Sequence, residues 1–270
     1  MTIPTLRGSL SASDGDADTG DLLVLLPSLG TTTHLWNGVV AALNELAPDL
    51  RILEVDLPGH GASPATDAEF SVAELAAAAL RLVDEVDGGR FHLAGVSLGG
   101  AIGLELALTS GRVLSLTLYC SGAAIGTPDG WIERAEAVRS SGTTILIAGS
   151  ASRWFAPGYL EREPHGPGAS LLAHLPDVDD ESYALCCQAL AHFDRSSRVG
   201  ELTMRSLVVA GEHDRVTTAE ASRSLAARIP GGRFALLDGA SHLAVVEAPR
   251  RAAELLFENI RAAAPVGSRG

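Results

Sequence analysis

The chain has 270 residues and a formal net charge of -13 at pH 7. This length suits one large α/β domain with an insertion, and a second independent domain is not expected. The acidic balance argues against nucleic acid or an anionic membrane as the main partner, because both repel a negatively charged surface. No apolar run approaches the ~20 residues of a membrane-spanning helix and no secretory leader pattern is seen, so we expect a cytoplasmic protein.

Short apolar runs alternate with helical patterns through much of the chain. The predicted strands lie at residues 22–26, 51–55, 91–96, 113–119, 206–210 and 234–237. The predicted helices lie at residues 35–46, 72–86, 98–108, 218–229 and 249–263. This alternation predicts a mostly parallel sheet covered by helices on both faces.

The alternation stops after Tyr119, and helix-like pieces without a convincing strand follow at residues 131–140, 143–151, 169–174 and 181–191. The segments Pro157-Gly158 and 163–168 have a composition that breaks helices. We therefore expect an α/β core domain of residues 1–124 and 201–270, with a helical cap inserted at residues 125–200, called the cap segment below. The polar stretch 11–20 and the tail 264–270 are expected to be irregular.

A single serine, Ser97, stands where a predicted strand must turn sharply into a predicted helix. Gly95 and Gly99 flank it at two residues on either side. Side chains at those positions would collide with the crossing strand and helix, and the serine itself must adopt a strained backbone. The sequence therefore predicts that Ser97 is a nucleophile.

A serine nucleophile needs a base, and the base needs a carboxylate that holds it in the correct tautomer. The strand at 206–210 leads to Asp214 and the strand at 234–237 leads to His242, which is the chain order serine, acid, histidine. His213 is the competing base, although it adjoins Asp214 on one short loop. Glu212 and Asp238 are competing acids, and His60 lies near the site on the wrong loop for the base.

The developing oxyanion needs backbone N–H donors. Leu98, directly after Ser97, should supply one, and Leu29, in the loop after the strand at 22–26, should supply the other. No metal or cofactor is expected. Of the three cysteines, Cys186 and Cys187 are adjacent in the chain and would make a poor disulfide. We expect them to be buried thiols rather than zinc ligands.

Four motifs together resemble the α/β-hydrolase superfamily over essentially the whole chain. They are residues 56–63, 95–100, 211–214 and 241–242. A closer resemblance lies mainly in the cap segment, at residues 115–131, 153–158 and 183–194, which look like 3-oxoadipate enol-lactonases.

That resemblance implies hydrolysis of a small anionic lactone late in the β-ketoadipate branch of aromatic catabolism. A substrate carboxylate approaching so acidic a chain requires a nearby cation, for which Arg134 and Arg153 are the candidates. Trp131 and Trp154 are candidate walls for the planar ring.

Two other interpretations of the same residues remain open. One is a different serine hydrolase, such as an arylesterase with perhydrolase activity or a carbon-carbon bond hydrolase. The other is a non-catalytic ligand-binding module on a hydrolase fold. The oligomeric state is also open, a homo-oligomer included.

Overall fold

A computed structural model describes residues 2–11, 21–86 and 89–263. In these residues a seven-stranded sheet has the order β1-β3-β2-β4-β5-β6-β7, parallel except for β1. The strands are β1 Arg7–Ser11, β2 Leu22–Leu26, β3 Arg51–Asp56, β4 Phe91–Val96, β5 Val113–Tyr119, β6 Arg205–Gly211 and β7 Arg233–Leu237. The α/β prediction and all six predicted strands are confirmed.

Helices cover both faces of the sheet. Those of the core are α1 Asn37–Leu46, α2 Val72–Val86, α3 Leu98–Thr109, α9 Ala219–Arg228, α10 Ala244–Glu247 and α11 Pro249–Arg261. Strand β2 and strand β4 are buried along their whole length, which explains why both read as continuous apolar runs. The carboxyl ends of these central strands meet at one edge, where the loops after β2, β4, β6 and β7 converge.

Strand β1 was not predicted, and its setting explains why. It pairs antiparallel with β3 at the edge of the sheet and leaves four of its five residues exposed. The sequence Arg-Gly-Ser-Leu-Ser therefore lacks the apolar run that marks a buried strand. The expectation that the stretch 11–20 is irregular is wrong for Ser11, which ends β1 and pairs with Ile52. Residues 12–20 and the tail 264–270 lie outside the described residues.

The chain between β5 and β6 is helical. It contains α4 Pro128–Ser141, α5 Ile147–Trp154, α6 Tyr159–Arg162, α7 Pro167–His174 and α8 Asp180–Ala191. The expectation that residues 163–168 break helices is wrong for its last two positions. Pro167 begins α7, because proline at the first helical position loses an N–H that would have no intrahelical partner there.

None of the described helices combines the length and apolar character needed to cross a bilayer. Helix α11 is amphipathic and buries one face against β5 and α1, whereas α3 is buried on nearly all sides.

Candidate active site

Ser97 sits on a strained turn between β4 and α3. Its φ is +53°, in the left-handed region that side chains other than glycine rarely adopt. A Cβ at Gly95 would lie 2.3 Å from the backbone of Gly99, and one at Gly99 would lie 2.3 Å from Leu26 O. The two glycines thus allow the strand, turn and helix to approach one another closely, and Ser97 at the turn lines a cavity.

His242 and Asp214 come together from the loops after β7 and β6. His242 Nδ1 lies 2.9 Å from Asp214 Oδ2, and both side chains are almost completely buried. A carboxylate can only accept here, so Nδ1 carries the proton and Nε2 of the neutral ring is left as the acceptor. That is the tautomer a general base requires.

The Asp214 carboxylate is held from several directions. The Thr217 hydroxyl donates to Oδ2 at 2.7 Å, and the N–H groups of Val216 and Thr217 donate to Oδ1 at 2.7 and 3.1 Å. Burial by itself would raise its pKa, but the interaction with His242 and these hydrogen bonds outweigh burial and hold the pKa below the usual value. The carboxylate therefore stays charged and fixed in orientation.

The competing candidates lie elsewhere. His213 lines a separate groove of about 630 Å³ and does not line the cavity that contains Ser97. Glu212 is exposed and accepts the N–H of Gly239 at 2.7 Å, and Asp238 is exposed as well. The geometry thus favours Asp214 and His242 over each alternative.

Ser97 and His242 line one cavity of about 280 Å³. Among the described contacts no hydrogen bond joins the two side chains, but both face the same cavity. Leu29 also lines this cavity, and neither its N–H nor that of Leu98 donates to another group in the described part of the chain. Two free amides in these loops are what an oxyanion hole requires.

All four cap residues predicted from the resemblance line the same cavity: Trp131, Arg134, Arg153 and Trp154. The guanidinium carbon of Arg134 lies 4.9 Å from the centre of the Trp131 ring, a cation-π contact. Arg153 Nη2 has a distant contact with Ser150 Oγ at 3.4 Å. Within the described residues neither arginine forms an ion pair with a carboxylate.

The two arginines also act on each other. Burial, followed by the charge of Arg134, lowers the pKa of Arg153 below its usual value. Two like charges facing one small cavity are unfavourable unless an anion joins them. The cavity therefore has the charge of a site for an anionic ligand.

Tyr183, on α8, is a lining residue that the sequence did not single out. Its hydroxyl interacts with Arg134, and burial raises its pKa. Helix α8 is apolar around most of its circumference, so periodicity could not distinguish a tyrosine facing the cavity from one facing the core.

The ligand atoms of Cys120, Asp214 and His242 lie within 4.8 Å of one another, a distance compatible with metal binding. The donor atoms are already committed, however. Asp214 accepts from His242 and Thr217, and the Cys120 thiol donates to Ser241 O at 3.6 Å. Burial raises the pKa of Cys120 well above its usual value, which favours a neutral thiol over the thiolate that a metal would need.

A strained serine after β4, a histidine and carboxylate from later loops, and a parallel sheet define a hydrolase of the α/β type. Residues 23–255 match the alpha/beta hydrolase family, and the chain belongs to that family. It is 30% identical to 3-oxoadipate enol-lactonase 1 of Acinetobacter baylyi over 90% of each chain. It is also 30% identical to the putative carbamate hydrolase RutD of Pseudomonas syringae, over 84% of this chain and 88% of that protein.

Among solved structures, the enol-lactonase from Burkholderia xenovorans LB400 superposes with a TM-score of 0.89 and 30% identity. The alignment covers 95% of this chain and 96% of that one. The similarity thus extends through the cap segment as well as the core.

Proposed function

We propose that the protein hydrolyses a small lactone that carries a carboxylate, with 3-oxoadipate enol-lactone as the substrate. The observation that carries this proposal is the shared cavity, in which Ser97 and His242 face Arg134 and Arg153. The similarity to enol-lactonases from two bacteria supports the same substrate class.

In the proposed reaction, Ser97 Oγ attacks the lactone carbonyl while its proton passes to Nε2 of His242. Asp214 stabilises the imidazolium that forms, and the amides of Leu29 and Leu98 receive the oxyanion. The ring C–O bond then breaks, and His242 returns the proton to the leaving enol oxygen. Water activated by the same histidine releases 3-oxoadipate from Ser97, so no cofactor or metal is needed.

Arg134 and Arg153 would bind the carboxylate of the side arm, since a guanidinium offers paired donors to a carboxylate. Their position in the cavity lets an anion approach a protein whose net charge is -13. Trp131 and Trp154 would pack on the ring. The proposed partner is therefore a small anionic lactone, and the proposed site of action is the cytoplasm.

A second candidate is hydrolysis of another ester or of a carbamate. The 30% identity to a putative carbamate hydrolase supports it, because that value equals the identity to the enol-lactonase. Arg134 and Arg153 favour the lactone, since a neutral ester or carbamate gives two half-buried guanidinium groups no counter-charge.

The test is the disappearance of the ultraviolet absorbance of 3-oxoadipate enol-lactone with purified wild type and with Ser97→Ala. We expect a fall in kcat of about 10⁶-fold in the variant, because the nucleophile is removed while the fold is kept. Ser110→Ala, which changes a partly buried serine at the end of α3, is the matched control. Lactone turnover that is unchanged in Ser97→Ala would contradict the proposal, and preference for p-nitrophenyl acetate would favour the second candidate.

A further inference from the structure

His60 is a completely buried histidine that the proposed reaction does not use. It lies in the tight turn after β3, and both of its ring nitrogens have partners. Nε2 lies 3.1 Å from Gly30 N, and Nδ1 lies 2.8 Å from Pro58 O. A carbonyl can only accept, so Nδ1 carries the proton and Nε2 accepts the Gly30 N–H.

This arrangement requires a neutral ring, because a protonated Nε2 would point its hydrogen at the hydrogen of Gly30. Burial keeps the ring neutral, since it lowers the pKa of His60 to about 4. The imidazole is therefore a fixed acceptor for one particular amide.

That amide adjoins Leu29, the proposed oxyanion donor. The peptide before Leu29 is also held, because Ser28 O accepts the N–H of Thr31 at 3.1 Å and its hydroxyl at 2.8 Å. In a planar trans peptide the C=O and N–H point in opposite directions, so fixing Ser28 O directs the Leu29 N–H the other way. Thr31 thus fixes the peptide on one side of Leu29, and His60 fixes the peptide on the other.

The turn that carries His60 is itself fixed by the cap segment. The His60 ring stacks on Tyr183, with 6.3 Å between ring centres and an interplanar angle of 22°. Gly59 O accepts the N–H of Asp179 at 3.0 Å. His60 therefore has little freedom to move away from Gly30.

We propose that His60 is a positioning residue for the oxyanion hole: it holds the peptide between Leu29 and Gly30 so that the Leu29 N–H faces the oxygen that becomes charged. The inference rests on the proposed roles of Ser97 and Leu29, and it does not depend on which substrate is hydrolysed.

The test uses a p-nitrophenyl alkylphosphonate, which reacts once with an activated serine. The Ser97 Oγ–P bond forms as p-nitrophenolate leaves, and a phosphonyl oxygen occupies the oxyanion hole. We expect His60→Leu to lower the second-order labelling rate about 100-fold, because losing one oxyanion donor costs about 10²- to 10³-fold. His60→Gln should stay within about fivefold of wild type, since its amide oxygen can accept the Gly30 N–H.

His92→Leu is the matched control for the loss of a buried histidine. His92 is also buried, but it bonds to Ser115 Oγ at 2.8 Å within the sheet and does not line the cavity. This variant should be destabilised without a loss of labelling rate. A folded His60→Leu protein that is labelled as fast as wild type would overturn the proposal.

A second measurement needs no variant. The ¹⁵N spectrum of wild-type His60 should show a protonated Nδ1 and an unprotonated Nε2, and the opposite tautomer would overturn the proposal. Failure of the proposed function gives a different result: wild type would be labelled at Ser97 yet leave the enol-lactone unhydrolysed.

Discussion

Asp214, the proposed acid, is held in place by its neighbours. Three donors other than His242 fix its carboxylate, and the sequence could place the acid after β6 but could not foresee Thr217. The positions of Ser97, Asp214 and His242 were predictable because each follows a recognisable strand, and their catalytic roles stay a prediction. Tyr183 was not predictable, because its orientation depends on how α8 packs.

Asp214→Asn tests this arrangement. The amide nitrogen of asparagine would donate to Nδ1, so Nε2 would carry the proton and could not act as a base. We expect kcat on the enol-lactone to fall about 10⁴-fold with little change in melting temperature. Asp238→Asn is the control on the exposed neighbouring acid, and a loss of activity in that variant instead would contradict the assignment.

At the scale of elements, the cap segment and the histidine loop are joined by Glu247 on α10. Its carboxylate accepts the N–H of Ala156 at 2.8 Å and that of Ser241 at 2.5 Å. Leu243 N also donates to Trp154 O at 2.9 Å. The sequence predicts helices at residues 143–151 and 249–263 but not α10 itself. The contact of Glu247 with Ala156 joins residues 91 positions apart, so it leaves no local pattern in the sequence.

Glu247→Gln should loosen this junction, because an amide can accept only one of the two N–H groups and presents its own NH₂ to the other. We expect KM for the lactone to rise about tenfold while kcat changes less than threefold, since Arg153 and Trp154 lie three and two residues before Ala156 in the chain. Steady-state kinetics would measure both constants. Glu258→Gln, at an exposed position on α11, is the control. An unchanged KM would show that the junction does not position the cap residues.

At the scale of the whole molecule, the negative charge of Glu54 on β3 opposes folding. Burial, and then the negative charge of Asp56, raise the pKa of Glu54 on β3 to about 7. The unfolded carboxyl has a pKa near 4.5, so between these values the folded state binds more protons. The contribution of Glu54 to the free energy of unfolding therefore falls as the pH rises from about 4.5 to about 7.

Glu54→Gln removes this penalty. We expect the melting temperature to rise by about 2 °C at pH 8 and to change little at pH 4.5, because a domain of this size shifts about 2–4 °C per kcal/mol. Calorimetry at the two pH values would measure it. Glu85→Gln removes the same charge from an exposed position on α2, and equal gains in both variants would assign the effect to net charge.

Selectivity for an anion is the property on which the proposed function depends most. The measurement is the ratio of kcat/KM for 3-oxoadipate enol-lactone to kcat/KM for the same lactone with its carboxylate replaced by a primary amide. We predict a ratio of about 100 in wild type, since hydrogen bonds to a charged group contribute about 1.5–3 kcal/mol. The ratio should fall toward one when Arg134→Met and Arg153→Met are combined. A wild-type ratio of one or below would contradict the assignment of this cavity to an anionic lactone.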